Sequence, residues 1–170
     1  MLEIRPAALS EFGLLPAIEA EADTAFEALV PPMATADFPP PATAAEFAAA
    51  FHIMVAGRPP GAFVRLELVD GQAHLEQIAV SPELARQGIG RALVHAAKAW
   101  AREAGFHSMT LTTFADVPFN APFYASAGFT ELAEADWGPE IRDIRRGEIE
   151  LGLDKAGRRI AMRAELPAGE

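Results

Sequence analysis

The chain has no cysteine in its 170 residues, which excludes disulfides, thiolate metal sites and a cysteine nucleophile. Its four histidines, His52, His74, His95 and His107, lack metal-ligand spacing, so no metal is expected. No apolar run approaches the roughly 20 residues of a membrane-spanning helix. The N-terminal segment from Met1 to Pro6 lacks the basic and apolar regions of a signal peptide. A cytoplasmic protein with no membrane partner is therefore expected. Positive charge is also scarce, with 14 Lys and Arg against 24 Asp and Glu and a net charge of −10. That balance argues against a nucleic-acid partner and favours a cationic or amine substrate.

Against this background a small basic cluster stands out. Residues Ala79 to Leu93 read as a strand end, a glycine-containing loop and the start of an apolar-periodic helix. At such a helix start the backbone N–H groups of Gln87, Gly88, Ile89 and Gly90 lack intrahelical acceptors, and the helix dipole favours an anion there. Gly88 and Gly90 remove Cβ atoms that would keep phosphate oxygens away, and Arg86 and Arg91 add charge at the rim. A pyrophosphate suits this arrangement, although a glycine pair before a helix also serves as a packing device. A P-loop is excluded because Arg91 and Ala92 follow Gly90. A dinucleotide fingerprint is excluded because Leu93 stands where its third glycine belongs.

The length and the 51% apolar content suit one domain over residues 1–170 with a single core. The pattern predicts a strand over Leu2 to Arg5 and a helix from about Ser10, its N-cap, to Leu29, with Phe12, Leu15, Ile18 and Ala22 as the apolar stripe. Five prolines make residues 30–43 a loop. A helix from Ala44 to about Phe51 and a strand over Val55 to Arg58 follow. Strands over Ala62 to Val69 and Ala73 to Val80 flank the hairpin turn Asp70-Gly71. In the next helix Ile89, Leu93, Ala96, Ala97, Trp100 and Ala104 form the buried face, and Gly105 closes it. The stripe Arg91, His95, Lys98 and Arg102 reads, beyond Arg91, as solvated surface. Ser108 to Thr113 is a strand, and Asn120 caps a short helix to Ala127 that Gly128 ends. A strand over Phe129 to Leu132, a helix from Gly138 to about Leu153 and a strand over Arg158 to Leu166 complete a mixed α/β pattern.

Two segments resemble the hallmarks of the GNAT N-acetyltransferase superfamily. Ile78-Ala79-Val80 followed by Arg86-Gln87-Gly88-Ile89-Gly90-Arg91 resembles its acetyl-CoA-binding motif. The run from Asn120 to Phe129, with Tyr124 ahead of Gly128-Phe129, resembles its second hallmark. The resemblance implies an α/β (α+β) fold: a mostly antiparallel, twisted sheet flanked by helices, with the central parallel strands Ala73–Val80 and Ser108–Thr113 splaying apart around acetyl-CoA. It implies that the backbone of Ile78 and Val80 pairs with the pantetheine, and that Asn120 and Phe123 contact the cofactor. Dimers are common in the superfamily, so a homodimer is one expected state.

The reaction so implied is direct transfer of acetyl to a substrate amine. It needs a base for the ammonium, an N–H donor near Val80 for the oxyanion, and a proton for the departing thiolate. The resemblance assigns the last role to Tyr124, with a buried structural tyrosine as the alternative. Glu76 is the leading base, its pKa raised if it is buried, and an exposed strand glutamate is the alternative. His74, two residues earlier, is a second candidate base or a surface residue. Thr112 stands where some relatives place a catalytic glutamate, and Val117 where many have an asparagine. Glu19, Glu21, Asp23 and Glu27, with Phe26, could hold an ammonium or form a solvated acidic face. Phe38 and Trp137 could line a substrate pocket. The acceptor is expected to be a small-molecule amine. A protein or peptide acceptor and a non-catalytic acyl-CoA sensor are the other readings.

Overall fold

Asp70 and Gly71 take φ values of 51° and 73°, the left-handed pair that a two-residue hairpin turn requires to match the twist of its strands. The computed structural model, which describes residues 2–33, 35–36 and 38–168, accordingly joins β3 (Ala62–Val69) to β4 (Gln72–Val80) across them. The chain divides into two compact units, one of Met1–Glu67 with Leu75–Ala97 and the other of Leu68–His74 with Lys98–Glu170. A seven-stranded sheet runs in the order β1-β2-β3-β4-β5-β7-β6. Its strands besides the hairpin are β1 (Ile4–Pro6), β2 (His52–Ala56), β5 (Ser108–Phe114), β6 (Thr130–Glu131) and β7 (Arg159–Glu165). β4 and β5 pair in parallel through Ala73↔Met109 and His74↔Thr110. β5 with β7 and β6 with β7 are antiparallel, as are β1 with β2 and β2 with β3. This is the mixed, mostly antiparallel α/β sheet expected from the sequence.

In the first unit, α1 (Leu15–Ala22) and α2 (Ala44–Ala48) cover a core of Leu15, Ile18, Phe47, Ile53, Val55, Phe63 and Ala79, with Phe12 and Ala22 packed against it. The apolar stripe is as expected, but the helix carrying it is broken. Leu9–Leu14 and Asp23–Ala28 are 3₁₀ turns on either side of α1. Pro16 lacks an N–H and is tolerated in the first turn of an α-helix, so α1 begins at Leu15. At the other end the Thr24 hydroxyl donates to Glu21 C=O at 2.7 Å, competing with the α-helical bonds. Ser10 is not the cap. Glu11 reaches back to the Ala8 N–H at 2.8 Å and forks onto Arg5 with two 2.7 Å bonds. α2 starts on a Thr43–Glu46 capping box and stops at Ala48, short of Phe51.

The turn does more than reverse the hairpin. In the second unit, α5 (Pro139–Glu150) starts on Asp70: its carboxylate accepts the N–H groups of Glu140 and Ile141 at 2.8 and 3.1 Å, and Glu140 accepts the Asp70 N–H at 2.8 Å. It is a reciprocal cap between residues 70 positions apart in sequence. A Cβ on Gly138 would lie 2.4 Å from the Asp70 carboxyl carbon, so the approach requires glycine there. Ile141 packs with Val69 and Ala161 in this unit's core. α5 ends at Glu150, and Gly152, at φ 85°, leads into α6 (Leu153–Ala156). α3 (Ile89–Glu103) buries Leu93, Val94, Ala97 and Ala101 completely, a face rotated slightly from the expected one, for Ala104 is exposed. Gly105, at φ 95°, closes it as expected, with Phe106 N–H on Ala101 C=O.

Asp70→Ala removes both cap bonds and is expected to cost about 1–2 kcal/mol in urea unfolding. Gly138→Ala should cost a similar amount by displacing the same carboxylate. Loss of less than about 0.5 kcal/mol in both would show that the cap is not structural.

Candidate active site

Within the first unit, β4 leads through a 3₁₀ turn at Pro82–Leu84 into the loop before α3. Arg86 and Gly88 take left-handed φ values of 63° and 77°, so the second position requires a residue without Cβ strain. Gly88 is also the N-cap, for its carbonyl accepts the Ala92 N–H at 3.0 Å. A glycine has no side chain with which to cap, so the first N–H groups of the helix must find acceptors elsewhere. Nothing lies within 4 Å of where a Gly88 Cβ would be. Arg86, Gln87, Gly88 and Arg91 are exposed, Gly90 is half-buried and Ile89 is buried. The loop thus offers an open cradle of N–H donors and two guanidinium groups, chemistry that fits a pyrophosphate.

On β4, Ala79 is buried in the unit's core, and Ile78 and Val80 are half-buried. Glu76 is exposed, as in the alternative reading of an exposed strand glutamate. His74, in the second unit, departs from its surface reading. It is 1% exposed, with Nδ1 2.8 Å from the Thr110 hydroxyl. Burial lowers its pKa to about 4, against weaker raising effects from Glu148 and Asp70, so its imidazole is neutral at neutral pH. The sequence suggests a surface residue because His74 lies on an alternating strand, but both faces of β4 are covered from Ala73 to Leu75.

The second unit carries Tyr124 on α4 (Ala121–Ser126). Its ring stacks edge-on against Phe123 and Phe129, with centroids at 5.2 and 5.8 Å. Burial pushes its hydroxyl up to about 12, with Arg159 pulling the other way. Asn120 holds the N-cap position expected of it, but its side chain makes no cap bond. The capping role therefore does not engage the amide. Phe123 is half-buried. At the other end of α4, the Lys98 ammonium donates to Ala127 C=O at 2.7 Å and lies 5.1 Å over the Phe129 ring. The basic stripe on α3 predicts a solvated surface position for Lys98. It is instead a half-buried cap on the helix that holds Tyr124.

Thr112 brings a carboxylate to its own position from another element. Its hydroxyl donates to Glu148 at 2.6 Å. Glu148 also accepts Arg145 at 2.6 Å and Arg159 at 2.9 Å, and Arg145 forks onto Asp154. Burial alone would raise the Glu148 pKa, but Arg159, Thr112 and Arg145 together hold it below the usual carboxylate range. Both oxygens are engaged, by Arg145 and Arg159 and by the Thr112 hydroxyl, so this is a structural carboxylate and not a base. No sequence pattern announces it, because Thr112 and Arg159 reach it from β5 and β7.

Among the described residues no group of three or more His, Asp or Glu is placed to hold a metal, and no helix is long and apolar enough to cross a membrane. The model of the acetyltransferase (GNAT) family matches residues 22–129, a span that takes in both the loop before α3 and Tyr124. The chain belongs to the GNAT acetyltransferase family, enzymes that use acetyl-CoA. Solved structures share its fold. The ribosomal-protein-S18-alanine N-acetyltransferase of Escherichia coli is 22% identical over 100% of this chain and 97% of its own, with a TM-score of 0.67. A GNAT-family acetyltransferase of Staphylococcus aureus is 14% identical, covering 98% and 100%, with a TM-score of 0.70. The PaiA N-acetyltransferase of Thermoplasma acidophilum, solved with coenzyme A, is 13% identical, covering 97% and 99%, with a TM-score of 0.67.

Glu148→Gln leaves the two guanidinium groups short of one negative charge and is expected to destabilise the protein by about 3 kcal/mol, read by urea unfolding. Unchanged stability with activity abolished would instead make Glu148 a catalytic group.

Proposed function

We propose that the chain works as one catalytic domain over residues 1–170 and transfers acetyl from acetyl-CoA to the amine of a small molecule. The observation that carries the cosubstrate assignment is the N-cap glycine of α3. Gly88 leaves helix-start donors uncapped beside exposed Arg86 and Arg91, and the family model spans that loop. In this reading Gln87, Gly88, Ile89 and Gly90 bind the pyrophosphate through backbone N–H groups, and Arg86 and Arg91 neutralise it. The backbone of Ile78 and Val80 receives the pantetheine as an added strand, with Ala79 anchored in the core between them. Asn120, whose amide makes no cap bond, and Phe123 are assigned further cofactor contacts.

Tyr124 is assigned to the departing sulfur. With its pKa at about 12 the phenol keeps its proton at neutral pH. It is a weaker acid than a thiol, whose pKa is about 8.5, so it serves by donating a hydrogen bond to the developing thiolate. The proton that ends on sulfur comes from the attacking amine. Glu76 is assigned as the base on its position in β4, where it is exposed to solvent.

The net charge of −10 supports a cationic acceptor. A protein N-terminus is the second reading, favoured by the name of the full-length Escherichia coli neighbour. Thiol release from acetyl-CoA against small amines and Ala-starting peptides separates the two, and silence across the panel with coenzyme A bound would indicate a sensor. Tyr124→Phe is expected to lower kcat about 10- to 100-fold, the worth of one hydrogen bond to a charged atom, with KM for acetyl-CoA and stability nearly unchanged. Full turnover in that variant would remove Tyr124 from the reaction.

A further inference from the structure

Glu19, on α1, precedes the segment that the family model matches and was given none of the roles assigned above. It is 6% exposed. Its Oε2 accepts the Ala42 N–H at 3.3 Å. Its Oε1 is enclosed with no hydrogen-bond partner among the described residues. An enclosed carboxylate oxygen without a partner is costly, and a bound ligand is one way in which that cost is recovered.

The surroundings define the ligand. Asp23 and Glu46 add negative charge around Glu19, and Arg65 is the cation acting on it. Arg65 is already engaged, donating to Glu67 at 2.9 Å with its guanidinium 5.6 Å over the Phe47 ring. Four carboxylates against one guanidinium leave the site short of positive charge. Burial, aided by Asp23 and Glu46 and opposed by Ala42 N–H and Arg65, pushes Glu19 up to about 7, where it can both hold a proton and release it. The position is also apt. Leu15 and Ile18 of α1 share a core with Phe47, Phe63 and Ala79, and Ser81, at the end of β4, donates to Glu21 at 3.5 Å.

We propose that Glu19 receives the acceptor substrate, taking a primary ammonium group on Oε1 and removing one of its protons, and that it replaces Glu76 as the base. This rests on the acetyl-transfer reading above and narrows its substrate to a compact primary amine. In the step, one ammonium proton passes to the carboxylate and the freed nitrogen lone pair bonds to the thioester carbon. The carbon–sulfur bond then breaks, the sulfur leaves with its electron pair, and the second nitrogen proton goes to that sulfur. Glu19 returns its proton to solvent.

Glu19→Gln keeps the volume and an acceptor for Ala42 N–H. Its kcat/KM for the amine should fall at least about 100-fold at pH 7, and the acid limb of the pH profile near 7 should disappear, with affinity for coenzyme A unchanged by calorimetry. The variant should also melt above the wild type at pH 8 and level with it at pH 5. The raised pKa means that ionisation of Glu19 costs the folded state stability as pH rises toward 7 and beyond. In the wild type with coenzyme A present, affinity for the amine should weaken about tenfold between pH 8 and pH 6. If Glu19→Gln keeps kcat/KM within about twofold and the same acid limb, or if amine affinity is flat with pH, the inference falls and acetyl transfer stands. If the wild type binds coenzyme A but releases no thiol with any amine, both fall.

Discussion

The start of α3 on Gly88 is the constraint on which the proposed cosubstrate site depends. A helix start carries several N–H groups that its own carbonyls cannot reach, and most helices supply a Ser, Thr, Asp or Asn to take one of them. α3 begins on a residue with no side chain, held at a φ of 77° that other residues adopt at a cost. The donors are left to solvent or to a bound anion. The rest of the first unit serves that arrangement: the core around Ala79 fixes the end of β4, and the turn at Pro82–Leu84 sets where α3 starts.

Elsewhere the chain pairs its buried and half-buried charges. Asp70 exchanges hydrogen bonds with the start of α5, Arg5 forks onto Glu11, and Glu148 is surrounded by Arg145, Arg159 and Thr112. Burial and pairing together leave the paired carboxylates Glu11 and Glu148 below their ordinary pKa, whereas Glu19 lies above it. The contrast is chemical: a carboxylate held by guanidinium groups is an ionised brace, and one short of partners is available to a ligand.

What could be read from the sequence was local. The turn at Asp70-Gly71, the strands beside it, the Gly105 cap and the loop from Arg86 to Arg91 each carry their signal within a few residues, and each stands where it was expected. The first helix misled because its apolar stripe continues through Pro16 and past Thr24, where the backbone changes hydrogen-bonding pattern. The remaining differences are tertiary. Nothing near Asp70 in sequence reveals that it caps a helix 70 residues on. His74 alternates like a half-exposed strand residue but lies at the covered centre of the sheet. Lys98 lies in a basic stripe yet caps α4. Glu19 sits among four acidic residues of one helical stretch, and burial of its side chain, which composition cannot show, separates it from the others.

The most direct test of the account is a calorimetric comparison of acetyl-CoA with S-acetylpantetheine, which presents the same thioester and pantetheine without the pyrophosphate and the 3′-phosphoadenosine attached to it. Binding through the α3 donors and the two arginines predicts that acetylpantetheine is weaker by at least about 100-fold, the loss of charge-assisted hydrogen bonds worth about 3 kcal/mol or more in total. Equal affinity for the two would mean that the loop does not hold the phosphates, and would contradict the account at its centre.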